Sequence, residues 1–118
     1  MGRSNFEKLE VYQLSETVAD RVWEVVHEWP QFAKSSIGNQ LVRSADSIGA
    51  NIAEGVGQKT TGANAYHVRI ARGSLYDTKH WLRRAYRRDL LSEDQVNDLK
   101  PLLDELAPRL NAYLNSIG

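Results

Sequence analysis

Residues 40–55 read QLVRSADSIGANIAEG, and the reading of this stretch decides the fold. At 100° per residue, Ile37, Leu41, Val42, Ala45, Ile48, Ile52 and Ala53 fall on one side of a helix. Gly49 lies at the edge of that apolar face, beside the alanines. A glycine inside a helix costs roughly 0.5–1 kcal/mol against alanine. Close approach of a second helix can offset that cost, so Gly49 is expected to mark a tight crossing rather than a hinge. The opposite side carries Ser36, Gln40, Arg43, Ser44, Ser47, Asn51 and Glu54. Short hydroxyls and amides, with almost no Lys or Glu, suit a hydrogen-bonded contact with another helix or another subunit. A solvated face is the other reading. Asn51 and Glu54 could satisfy loop amides near Gly55 or pair with a third-helix arginine such as Arg72.

Outward from this segment, helical spacing continues and strict alternation is absent. A first helix is expected over residues 9–29, with a stripe of Val11, Leu14, Val18, Val22, Val25, Val26 and Trp29. Pro30 marks its end. The second helix should occupy 35–55, opened by Ser35 or Ser36 as N-cap and stopped by Gly55 and Gly57. A third is expected over 61–88. The fourth, 92–116, opens on Ser92 with Gln95 as capping-box partner. Pro101 and Pro108 fall inside it, and each disfavours an interior helix by about 3 kcal/mol. A late start, kink or break at one of them is expected. Four helices with short connections pack as an all-α, up-down-up-down bundle in a single domain over 1–118.

Composition sets limits. The chain of 118 residues has no cysteine, which removes disulfides, thiol nucleophiles and Cys-based zinc sites. No stretch approaches a membrane span and the N-terminus lacks an apolar leader, so a cytoplasmic protein is expected. His27, His67 and His80 have no ligand spacing, and no catalytic constellation or phosphate-loop spacing appears. Catalytic, metal and cofactor sites are therefore all expected to be absent, with no small-molecule substrate.

The net charge is zero but uneven. Residues 1–33 carry −3, 34–65 carry +1, 66–88 carry +6 and 89–118 carry −4. Within the basic segment Arg69, Arg72, Lys79, His80, Arg83 and Arg87 share an arc of about 100°, with Tyr76 among them and Arg84 and Arg88 flanking. The apolar set Ile70, Ala71, Leu75, Thr78, Trp81, Leu82 and Ala85 centres on another side. A basic stripe with an aromatic can bind phosphates and stack on a base. The same arginines could instead pair with the acidic terminal segments, within or between subunits. Trp23, Trp81 and Tyr86 lie at stripe edges and suit an oligomer interface, although Trp81 fits the core equally well.

Residues 40–55, together with Phe6, Leu9, Tyr12 and the segment Ala71-Arg-Gly-Ser-Leu75, resemble the 23S rRNA intervening-sequence protein family of small bacterial bundles. Tyr76-Asp77-Thr78 departs from the family's pattern, as does the missing acidic residue before Gln40. The resemblance implies a four-helix bundle assembled as a homopentamer. It singles out Gln40, Arg43, Ser47, Gly49, Asn51, Glu54 and Gly55 as motif residues in helix or subunit contacts. Related bundles serve as accessory subunits of diversity-generating retroelement reverse transcriptases. The expected partners are therefore a second copy of the chain, structured RNA, or a nucleic-acid-processing protein. A scaffold without nucleic-acid contact is the alternative.

Overall fold

A computed structural model describes residues 6–117. A short 3-10 turn, Phe6–Lys8, leads into α1 (Glu10–His27). Helix α2 (Asn39–Val56) follows a helical lead-in, and then come α3 (Thr61–Arg87) and α4 (Glu93–Ser116). The described residues contain no strand. Each helix packs on its neighbours in chain order, and α4 closes on α1. This is the up-down-up-down arrangement that short connections favour. At 1.5 Å per residue α3 is about 40 Å long, close to the 43 Å long axis of the molecule.

The core comes from one stripe per helix. Val18 and Val22 of α1, Leu41, Ile48 and Ile52 of α2, Val68 and Leu75 of α3, and Leu106 and Leu110 of α4 are all shut off from solvent. Ile70, expected with the apolar set of α3, is exposed instead. Helix α1 stops at His27, and Trp29 lies beyond it in the turn. Trp29 is nevertheless buried, and its Nε1 donates to the Leu90 carbonyl at 2.9 Å. That bond ties the α1/α2 turn to the α3/α4 turn at one end of the bundle.

The start of the second helix differs from expectation. Helical geometry begins at Gln31, with Pro30 as N-cap at φ −59° and ψ 153°. It runs through Gln31–Ala33 and a π turn, Lys34–Gly38, straight into α2. Ser35 and Ser36 cap nothing. Their hydroxyls donate back to the Gln31 and Phe32 carbonyls at 3.0 and 2.7 Å, the bonds serines make inside a helix. Proline's fixed φ supplies the start that a serine cap would have given. The wider π turn offsets the drift of about 40° that an α-helix accumulates over four residues. Ala33, Ile37 and Leu41 thus all reach the core.

The ends also differ. Gly55 is inside α2 rather than a stop. Gly57 is the C-cap at φ −76°, so no left-handed residue ends the helix. Helix α4 is continuous through Pro101 and Pro108. Both prolines are exposed and seven residues apart, on one outer face. The carbonyls they leave unbonded, those of Asn97 and Asp104, belong to exposed residues that water can reach. Ser92 and Gln95 form the expected capping box, at 2.9 and 3.1 Å. Thr60 caps α3 by accepting from the Ala63 amide at 3.1 Å.

A hydroxyl seam and a basic groove

The motif residues of α2 divide between two neighbouring helices. Gly49 faces α1, where an added Cβ would stand 2.9 Å from Ser15 Oγ and 3.3 Å from Tyr12 Cε1. Gly55 faces α3, where an added Cβ would collide with Asn64 Oδ1 and stand 3.1 Å from the Asn64 carbonyl. Asn64 Oδ1 and His67 Nδ1 are buried there and find no hydrogen-bond partner among the described residues.

Between these points a ladder of hydroxyls joins α2 to α3. Ser74 Oγ donates to Ser47 Oγ at 2.9 Å. Thr78 Oγ1 lies 3.0 Å from Ser44 Oγ and 2.8 Å from the Ser74 carbonyl, with one proton for the two acceptors. Ser44 Oγ donates to the Leu41 carbonyl, and Asn51 Nδ2 donates to both oxygens of Ser47. Ser44, Ser74 and Thr78 are buried. On the polar side of α2, Ser44 and Ser47 thus make an internal contact with α3, while Ser36 of the lead-in, Gln40, Arg43 and Glu54 remain exposed. Asn51 bonds within its own helix rather than to a loop amide, and Arg72 Nη1 donates to Asn111 Oδ1 at 3.3 Å rather than to Glu54.

The basic stripe lies on the outer side of α3. Arg69, Arg83, Arg87 and Arg88 are exposed, and Arg72, Lys79 and Arg84 are half-buried. Tyr76 is 61% exposed, with Lys79 Nζ 6.0 Å from its ring centre. His80 is exposed and edge-on to the half-buried Trp81 at 4.8 Å. Among the described residues, none of these arginines or Lys79 forms an ion pair. Four carboxylates of the acidic terminal segments pair elsewhere. Asp98 takes Arg21 at 2.6 Å, Glu10 and Glu105 take Arg109 at 2.7 and 2.9 Å, and Asp104 takes Lys100 at 2.9 Å. Pairing of the stripe with these segments inside one protomer is therefore not what the structure contains. The Lys100 hydrogen bond, with Lys79 as a smaller influence, holds the Asp104 carboxyl below its ordinary pKa.

Beside the stripe, a groove of about 480 Å³ lies between α3 and α4. Leu82, Leu91, Leu99 and Leu103 floor it, and Lys79, Arg83 and Lys100 stand on its rim with Tyr86, Glu93 and Asp104. Nothing in the sequence pattern announced this groove, because it depends on how far two helices stand apart. A second groove, between α1 and α2, is acidic, lined by Glu16, Asp20 and Asp46. Burial, and then Asp20, push the Asp46 carboxyl above its ordinary pKa. The exposed aromatics include Trp23 at 60% and Tyr86 at 47%. They also include Phe32 at 84% and Tyr66 at 60%, which periodicity did not single out.

Among the described residues, no group of three or more His, Cys, Asp or Glu could hold a metal ion. Among the same residues, no helix is long and apolar enough to cross a membrane.

Comparison with known proteins gives this geometry a family. The model of the 23S rRNA-intervening sequence protein family matches residues 7–112. The fold is similar to a crystal structure from Bacteroides thetaiotaomicron VPI-5482, described as a protein of unknown function from the S23 ribosomal protein family. The TM-score is 0.78 at 22% identity, over 89% of this chain and 95% of that one. No curated protein sequence matches.

Proposed function

The chain belongs to the 23S rRNA-intervening sequence protein family, and from that premise we propose a non-enzymatic bundle that self-associates, as a pentamer, and binds structured RNA or a ribonucleoprotein in the cytoplasm. The basic stripe of α3 is the binding face. One observation carries this reading: Arg69, Arg83, Arg87 and Arg88 are exposed and without ion pairs among the described residues. A protein that leaves its densest positive charge uncompensated keeps it available for an external anion. Arginine pairs bidentately with phosphate, and an exposed tyrosine offers a surface for an unpaired base. Arg69 and Arg87 lie about 27 Å apart along the helix, a span suited to several phosphates rather than to one small anion.

The test is fluorescence anisotropy of a labelled RNA hairpin across a salt series. Micromolar binding should weaken steeply as salt rises from about 50 to 200 mM, because each phosphate contact releases counterions. Charge reversal at Arg69 and Arg87 together should weaken binding at least tenfold and leave the assembly unchanged in sedimentation. Absence of binding at low salt would overturn the reading.

The exposure of Trp23 and Phe32 favours a second reading, a protein-interaction scaffold without nucleic-acid contact. In that case charge reversal on α3 alters protein capture and not RNA binding.

A further inference from the structure

The α1/α2 side of the bundle carries a depression of about 380 Å³, to which α3 contributes no residue. It lies between the end of α1 on one side and the π turn with the first turn of α2 on the other. We propose that it is a site for one nucleoside phosphate, free or as an unpaired nucleotide of an RNA, with the base against Trp23 and the phosphate at Lys34 and His27. The site is separate from the basic stripe, so its failure leaves the RNA-binding reading standing.

The lining divides by chemistry. Trp23, Val26 and Val42 supply the apolar wall, and Trp23 is 60% exposed, so its ring is open to a planar partner. Lys34 and His27 supply a cation and an imidazole, and no carboxylate lines the depression. Neither residue forms an ion pair among the described residues. The exposed side-chain amides of Gln31 and Asn39 offer both donors and acceptors. An aromatic wall with a few converging polar groups is the composition of a small-ligand site, and the volume lies within the usual range of about 300–1,000 Å³. A purely apolar ligand would leave Lys34 unanswered, and a bare phosphate would leave the indole uncovered. A base joined to a phosphate answers both, by stacking on the ring and by charge-assisted hydrogen bonds at the phosphate.

Position orders these groups. Gly38 fixes the register of the seam, since an added Cβ there would stand 2.8 Å from Val26 Cγ1. Lys34 lies one turn before Gly38 and His27 ends α1, so both stand at the turn end of the depression. Trp23 and Val42 lie one turn further into the seam. From Lys34 to Val42 is about 12 Å along the axis, the length of one nucleotide rather than of a strand. Beyond Trp23 the seam becomes acidic, with Asp20 and Asp46 in the neighbouring groove. Charge thus runs from positive to negative along the seam. That polarity directs a phosphate toward Lys34 and an exocyclic amine of the base toward the carboxylates. The π turn itself brings Lys34, Ser35 and Gly38 to the lining, and π turns within helices are frequent at functional sites.

The test is isothermal titration calorimetry of the full chain with adenosine 5′-monophosphate. Sub-millimolar binding is expected, with adenosine and inorganic phosphate each at least about tenfold weaker, because each makes only one of the two contacts. Trp23→Ala and Lys34→Gln should each weaken binding at least about tenfold while helical circular dichroism is retained. Arg69→Glu with Arg87→Glu should leave it unchanged. A labelled RNA hairpin with one unpaired 3′ adenosine, compared with its blunt form, separates the two sources. A free-nucleotide site binds the monophosphate and does not respond to the overhang. A site for an RNA-borne nucleotide binds the overhang form at least about fivefold more tightly, and Trp23→Ala removes that gain. No heat with the monophosphate together with no effect of the overhang would overturn the proposal and leave Trp23 to the protein-interaction reading. Binding that survives both Trp23→Ala and Lys34→Gln would overturn it as well. So would binding lost on charge reversal of Arg69 and Arg87, which would place the nucleotide on the α3 stripe, or inorganic phosphate binding as tightly as the nucleotide.

Discussion

Across the α2/α3 seam, α3 presents Ser74 and Thr78 to Ser47 and Ser44, and the side chains hydrogen-bond directly at 2.9 and 3.0 Å. Across the α3/α4 seam the same helix presents Lys79, Leu82, Arg83 and Tyr86, and about 480 Å³ remains between the helices. Small residues let backbones approach and leave few polar atoms to satisfy. Large residues meet at their tips and hold the helices apart. A hydroxyl seam is stable only if its protons find acceptors, since an unpaired buried polar group costs about 1–3 kcal/mol. Residue size thus makes one face of α3 a joint and the adjacent face a site.

The sharpest way to break this contrast is to enlarge the close seam. Gly55→Leu places side-chain atoms where Asn64 already sits, including 3.1 Å from its backbone carbonyl. The backbones must then separate. A loss of about 2–3 kcal/mol in urea unfolding is expected, in the upper range of overpacking effects. An unchanged midpoint would mean that the seam is not close-packed. A smaller effect comes from Thr78→Val, which keeps the volume and removes the hydroxyl shared between Ser44 and the Ser74 carbonyl. Both acceptors retain other bonding options, so a loss of about 1 kcal/mol is expected in the same assay. A gain would show that the seam is held by packing alone. Smallest is Val96→Leu on the open side. Val96 is half-buried and lines the α3/α4 groove, where an added methylene meets space. Its effect should stay within about 0.5 kcal/mol, and a larger loss would mean that the groove closes in solution.

Much of this was legible in the order of residues. The four apolar stripes, the Ser92 capping box and the basic face of α3 each depend on spacing within one segment. The boundaries that were misplaced share a cause. Ser35 and Ser36 are the residue type that opens helices, yet Pro30 had already fixed the start. Pro101 and Pro108 are helix breakers by local preference. Packing of Leu99, Leu103, Leu106 and Leu110 keeps α4 whole, while the freed carbonyls belong to exposed residues. Local preferences of a few kcal/mol yield to a stripe of buried leucines, each worth roughly 1.5–3 kcal/mol when fully removed from water.

By itself, then, the sequence determined the number of helices, their inward faces and the stretch of chain that carries the positive charge. Those are properties of a single helix, set by periodicity along one chain. Only the tertiary structure decided that Ser44 and Ser47 turn toward α3, that Asp98, Glu10 and Glu105 pair with Arg21 and Arg109 rather than with the basic stripe, and that a groove opens beside Arg83. Those are properties of helix pairs. The distance between two helices follows from the side chains that both present at the contact, and no pattern within either segment contains it.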